Sequence, residues 1–210
     1  MKSKPEPYTA VLLAAGEGSR FGGLKQLEKV NGKPLLSRSM KRIDEINWKN
    51  DPILVLGYHA EKIRGEIDLD GFNLVHNERW EEGMSTSVKT AINSADPGTR
   101  GYFLFLADMP AVPVSAIEKV LERANEGGSL IAPEYGGQRG FPVYLNRKWE
   151  EELQEEISGD RGARRIISDN RKELDLVPAN HKGVLMDVDD RTDLEEIELY
   201  LKEEGDKIGV

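Results

Sequence analysis

Short, almost uninterrupted apolar runs alternate along this chain with longer segments whose apolar residues recur every three or four positions. The runs 9–14, 52–56, 72–75, 102–107 and 130–132 predict strands buried on both faces. Between them, 34–46 places Leu35, Leu36, Met40 and Ile43 on one face, and 114–124 does the same with Ile117, Val120, Leu121 and Ala124, as crossover helices would. Beyond Pro133 the pattern loosens: 142–145 and 184–188 read as strands, 147–157 and 162–168 as helices, and 194–202 as an acidic amphipathic helix. Such alternation predicts a doubly wound, mostly parallel sheet with helices on both faces, in one domain over 1–210 with a flexible tail at 1–7. In these sheets ligands bind outside the carboxyl ends of the strands, where the winding reverses.

The residues that follow each strand therefore carry the candidate chemistry. After the first comes Ala14-Ala15-Gly16-Glu17-Gly18-Ser19-Arg20-Phe21-Gly22-Gly23-Leu24-Lys25-Gln26. Glycines let backbone N–H groups approach phosphate oxygens, and Arg20 and Lys25 add positive charge, so the loop reads as a phosphate cradle. It is not a Walker loop, because Gln26 and not Ser or Thr follows Lys25, and its third glycine comes one position late for a dinucleotide fingerprint.

The run 102–107 ends in Asp108-Met109-Pro110, a carboxylate at the tip of a buried strand and well placed to hold a divalent cation. Asp108 lies too early to cap the helix near Val114, with Pro110 and Pro113 between. In Asp187-Val188-Asp189-Asp190, strand alternation would put Asp187 and Asp189 on one face, and either would complete a magnesium site with Asp108. Asp190 reads as the cap of the helix that starts near Thr192. In segment 77–87, Ser85 and Ser87 either cap the following helix or face a nucleotide. The glycine-rich loops 136–142 and 159–165 carry arginines, and either bracket a second anionic substrate or are plain turns. His59, His76 and His181 have no metal-ligand spacing, and Trp48, Trp80 and Trp149 read as packing anchors.

Composition narrows the partners. The 210 residues hold 29 Lys+Arg against 38 Asp+Glu, a formal charge of −9, which argues against nucleic acid as a ligand. The absence of cysteine excludes disulfides, thiolate metal sites and Cys nucleophiles, and favours a cytoplasmic setting. No apolar stretch approaches the roughly 20 residues of a membrane helix, and the run 10–15 is too short for a signal peptide.

Taken in order, Leu13-Ala14-Ala15-Gly16-x-Gly18-x-Arg20-Phe21-Gly22-Gly23-x-Lys25, Asn77 with Gly83-Met84-Ser85-x-Ser87, Leu106-Ala107-Asp108-Met109-Pro110, Gly140-Phe141-Pro142-Val143, Gly159-Asp160-x-Gly162-Ala163-Arg164 and Asp187-x-Asp189 resemble the MobA-like nucleotidyltransferases. Within that family they look most like the molybdenum cofactor cytidylyltransferases. The resemblance implies a glycosyltransferase-A-like Rossmann sandwich that moves CMP from CTP onto the terminal phosphate of molybdopterin, with magnesium as cofactor and a molybdenum hydroxylase apoenzyme as a further partner. It implies that Ala14, Ala15, Gly16, Gly18, Arg20 and Lys25 hold the triphosphate, Asp108 and Asp189 the magnesium, and Ser85 the nucleotide. Arg20, Lys25 and Asp108 would be the catalytic groups, and Phe141, Asp160 and Arg164 would lie toward the acceptor. Phe141 stands where the family usually has His, so a ring able to hydrogen-bond is replaced by one that cannot. Other readings of the same residues are a same-fold transferase using GTP or a sugar or polyol phosphate, and a non-catalytic cofactor carrier.

Overall fold

The computed structural model describes residues 6–18 and 21–208, with the side chains of Arg161 and of 204–208 outside the description. The elements in chain order are β1 (Thr9–Leu13), β2 (Lys29–Val30), β3 (Lys33–Pro34), α1 (Leu35–Asp44), β4 (Ile53–Leu56), α2 (Ala60–Glu66), β5 (Asn73–His76), α3 (Met84–Asn93), β6 (Gly101–Leu106), α4 (Val114–Asn125), β7 (Leu130–Tyr135), β8 (Gln138–Arg139), β9 (Val143–Asn146), α5 (Glu150–Glu155), α6 (Arg164–Asp169), β10 (Leu174–Pro178) and α7 (Arg191–Ile208). One sheet runs β10-β7-β9-β6-β1-β4-β5, with β8 paired to β7, while β2 and β3 form a separate hairpin. β1 is parallel to both β4 and β6, and β9 is inserted antiparallel between β6 and β7.

Period-two alternation in the strands divides the core in two. Ala10, Leu12, Leu54, Leu56, Phe103 and Phe105 point to one face, where Leu36, Met40 and Ile43 of α1, Ile63 of α2 and Ile117, Val120 and Leu121 of α4 cover them. Val11, Leu13, Ile53, Val55, Tyr102 and Leu104 point to the other, under Val88, Ala91 and Ile92 of α3, Leu153 of α5 and Ile166 and Ile167 of α6. With both faces of the central strands buried, β4 is apolar throughout and β1 and β6 are apolar after Thr9 and Gly101, which is why these three read as continuous runs. The resulting architecture is the Rossmann-like α/β sandwich that the alternation predicts. A third cluster, Phe21, Val30, Leu35, Val188 and Ile197, lays α7 over the β2–β3 hairpin.

Three expectations need correcting. Residues 184–188 do not form a strand: Lys182–Leu185 is a 3-10 turn, and the stretch is fixed by single bonds, Phe141 N–H to Val184 O (2.9 Å) and Val188 N–H to Asp108 O (2.9 Å). Its apolar residues plug gaps between loops and do not join a ladder. The real edge strand is β10, unexpected because half-exposed residues and Pro178 break its apolar pattern. The tail expected over 1–7 excludes Glu6 and Pro7, since Glu6 N–H donates to Asn47 O and Pro7 O accepts from Arg100 N–H; residues 1–5 lie outside the described residues. Among the described residues, no helix is long and apolar enough to cross a membrane.

Gly183 packs so closely on the Ala111 carbonyl that a Cβ would collide with it. Gly183→Ala is expected to lower stability by about 1–3 kcal/mol through overpacking, measured as a shift in the urea midpoint; an unchanged midpoint would show that this loop contact carries no load.

Candidate active site

The carboxyl ends of β1 and β6, adjacent in the centre of the sheet, open into a cavity of about 420 Å³ lined by the loop Ala14–Gly18 (14–18), Lys25, Gln26, Trp80, Gly83, Met84, Ser87, Ala107, Asp108 and Asp160. β1 is flanked by strands reached by crossovers in opposite directions, so the crevice is the switch point of the winding. The start of the glycine-rich loop is held along the β4 side: Ala14 N–H donates to Val55 O (2.9 Å) and Tyr58 N–H to Ala15 O (3.0 Å). Gly57 allows that approach, because a Cβ there would lie 2.8 Å from Ala15 O. Gly18 adopts φ 67°, a left-handed conformation suited to glycine, and its carbonyl accepts from Phe21 N–H (2.9 Å).

Lys25 is the hub. Its Nζ donates to Asp108 Oδ2 (2.6 Å) and to Val188 O (3.1 Å), with side-chain exposures of only 15% for Lys25 and 20% for Asp108. Behind it, Gln26 is buried and its Nε2 donates to Ala14 O (3.1 Å) and Gly16 O (2.9 Å), fixing the two ends of the cradle. Gln26 was not singled out from the sequence; an amide one residue after a lysine carries no spacing signal, and only the fold shows which carbonyls it meets. Among the described residues, Asp108 Oδ1 is buried without a hydrogen-bond partner. Asp187 lies beside it, and partial desolvation followed by the charge of Asp108 holds its carboxyl above the usual carboxylate range. Asp189 N–H donates to Asp193 Oδ2 (2.8 Å), and Asp190 caps α7, its Oδ1 accepting from Thr192 N–H (2.7 Å). Among the described residues, no trio of His, Cys, Asp or Glu is placed to hold a metal by itself.

The second wall is built by close backbone approach. Gly83 has φ 100°, and a Cβ on it would collide with Gly159 and lie 2.6 Å from Asp160 Oδ1, so the Gly83 and Gly159 loops interlock and bring Asp160 to the cavity. Ser87 lines this cavity and its Oγ accepts from Asn77 Nδ2 (2.9 Å), whereas Ser85 lines a neighbouring cavity with Asn77, Lys89 and Gln154. Neither serine caps α3; its N-cap is Gly83. Trp48 and Trp149 are buried anchors, but Trp80 is part-exposed, packs against Tyr58 with the rings tilted (centroids 5.1 Å apart) and lines the cavity. Phe141 and Arg164 line a separate small recess. Arg20 lies outside the described residues.

Residues 10–175 match the MobA-like NTP transferase domain. The chain belongs to this family. Nicotine blue oxidoreductase of Paenarthrobacter nicotinovorans is 26% identical over 190 residues, covering 86% of this chain and 91% of that protein. The molybdenum cofactor cytidylyltransferase of Escherichia coli strain K12 is 27% identical over 138 residues, 65% of this chain and 69% of that one. Among solved structures, the Mycobacterium sp. strain JC1 homologue of Mycobacterium tuberculosis Rv0371c superposes with a TM-score of 0.83 at 27% identity, covering 95% of this chain and 99% of its own. The family match spans the glycine-rich loop, Lys25, Asp108 and Asp160, so the residues that converge on the cavity all fall inside it.

Removing Gln26 leaves two loop carbonyls without their donor. Gln26→Ala is expected to weaken triphosphate binding about tenfold, measured by calorimetry, with the melting curve remaining cooperative; undiminished binding would remove Gln26 from the cradle.

Proposed function

We propose that the protein is a nucleotidyltransferase that transfers CMP from CTP to the terminal phosphate of molybdopterin and releases pyrophosphate. The observation that carries this reading is the convergence of the glycine-rich loop, Lys25 and Asp108 on one cavity at the sheet's switch point. In this reading an acceptor phosphate oxygen forms a bond to the α-phosphorus as the bond from that phosphorus to the β-bridging oxygen breaks. The electron pair leaves with pyrophosphate. A phosphate oxygen is already anionic, so no general base is required, and the absence of a histidine from the cavity lining fits.

The chain's own groups then align and neutralise. Backbone N–H groups of the loop at 14–18 hold the triphosphate, and the Lys25 ammonium offsets charge building on the departing pyrophosphate. The Ser87 hydroxyl, whose oxygen is already occupied by Asn77, has its proton available for the nucleotide. Trp80 and Met84 shield that side of the cavity from water.

A magnesium ion fits the residues present: the donors are all oxygen, Asp108 Oδ1 is buried and unpartnered, and the neighbouring Asp187 carries like charge that a cation relieves. Asp108 would hold it, with Asp187 or Asp189 second. Two carboxylates suit magnesium, which completes its shell with water and substrate phosphates. When bound, it supplies charge neutralisation of the reacting phosphates.

Pyrophosphate release is to be measured with each of the four ribonucleoside triphosphates, magnesium and molybdopterin. Turnover with CTP supports the reading, turnover with GTP alone moves it to guanylyl transfer, and none with any triphosphate overturns it. Lys25→Ala and Asp108→Ala are each expected to lower turnover on the order of 100-fold or more with the fold intact, and near-wild-type rates in a folded variant would remove that residue from the mechanism. Chelation of divalent cations by EDTA should abolish turnover, and magnesium should restore it.

A further inference from the structure

A second cavity, of about 520 Å³, lies between α1, the β2–β3 hairpin, the segment after Asp108 and α7, and shares no lining residue with the main cavity. That volume is in the range of small-molecule sites. One side of it is cationic. The core face of α1 takes Leu35, Leu36, Met40 and Ile43, which leaves Arg38, Lys41 and Arg42 on the outer face, and Lys33 joins them from the hairpin. Like charges three and four residues apart destabilise a helix, and this stripe sits in a chain of net charge −9.

The carboxylates beside these cations are already engaged. Glu45 pairs with Arg42 (3.2 Å), and Glu198 accepts from Asn31 N–H (3.1 Å) and pairs with Lys202 (3.6 Å). Among the described residues, Lys33, Arg38 and Lys41 have no carboxylate within ion-pair distance. Arg38 is nevertheless fixed: its Nε donates to Val30 O (2.7 Å) and its Nη2 to Asn31 O (3.4 Å). Burial, and then the like charge of Arg42, hold its guanidinium below the ordinary range. Two of its five N–H groups are used by the hairpin carbonyls, so three remain on a guanidinium whose position is set in advance. The other side of the cavity is apolar, built by Pro110, Pro113 and Val114 of the segment after Asp108 and by Tyr200 and Leu201 of α7.

We propose that this cavity binds a phosphate monoester with an apolar or ring-bearing body, separately from the reaction cavity. The fixed guanidinium of Arg38 meets the phosphate oxygens, and the Lys41 and Lys33 ammoniums add charge; a phosphate dianion has oxygens enough for several cations at once. The body of the ligand lies along the prolines and Val114, with Tyr200 as an aromatic neighbour. A concave wall with one cationic and one apolar side suits a small molecule that carries both kinds of surface. Its walls continue the segments that carry Lys25 and Asp108, so the ligand sits on the frame of the active site without entering it. This site does not rest on the transferase reading.

Phenyl phosphate and inorganic phosphate are to be titrated, followed by phosphorus NMR, into the wild type, Lys41→Glu, Arg38→Met and Lys25→Ala, the last reporting phosphate held at the glycine-rich loop. Phenyl phosphate is expected to bind Lys25→Ala as it binds the wild type, and to bind Lys41→Glu and Arg38→Met about tenfold or more weakly, through loss of a charge-assisted contact. Inorganic phosphate, which has no apolar body, should bind the wild type several-fold more weakly than phenyl phosphate. Saturating phenyl phosphate should raise the Tm of Lys25→Ala and leave that of Lys41→Glu unmoved. Wild-type affinity in both Lys41→Glu and Arg38→Met, loss of binding in Lys25→Ala alone, equal affinity for the two probes, or no binding by the wild type each overturns the site. Should Arg38→Met fail to fold, the exposed Lys41→Glu decides.

Discussion

The Lys25 ammonium joins stretches of chain that are remote in sequence, and the site is arranged around it. Its bonds to Asp108 Oδ2 (2.6 Å) and Val188 O (3.1 Å) tie the glycine-rich loop to the end of β6 and to the segment before α7. Both partners lie in a part-buried pocket, where the pairing is screened less than at the surface and an unpaired charge would be costly. Val188 N–H to Asp108 O (2.9 Å) closes the same junction through the backbone. The positions of the glycine-rich loop, of Asp108 and of α7 therefore depend on one another.

Around this hub, absent side chains matter as much as present ones. Gly57 lets the strand end approach Ala15, Gly83 lets α3 begin against Gly159 and Asp160, and Gly183 seats the 3-10 turn on Ala111. Each brings two backbones closer than a Cβ would permit. The cavity walls are thus built largely from main chain, which is rigid and presents N–H groups, a suitable lining for a phosphate-rich ligand.

Two of the three buried side-chain atoms without hydrogen-bond partners among the described residues lie at this site. Asp108 Oδ1 and Gln26 Oε1 are both at the main cavity and Asp187 crowds like charge on Asp108, while Arg139 Nη1 is a third such atom in the separate recess. A chain selected for stability alone would pair or remove such groups; keeping them fits a site whose ligand supplies the missing partners.

The sequence by itself determined the layers. Continuous apolar runs in β1, β4 and β6, and the three-to-four spacing in α1 and α4, have one solution, because a strand buried on both faces needs helices on both. It also marked Gly16, Gly18, Lys25 and Asp108, since strand-following glycines and charges are local patterns, whereas Asp160 was indicated only by the family resemblance. What it left open were contacts set by pairing across the fold: Gln26 on Ala14 and Gly16, Ser87 and not Ser85 on the main cavity, Trp80 as lining, and Arg139 in one recess with Arg164. The 184–188 segment shows the same limit, for its apolarity is local information while its partners are loops more than forty residues away. Periodicity reports which face is buried; only tertiary structure decides what each buried group meets there.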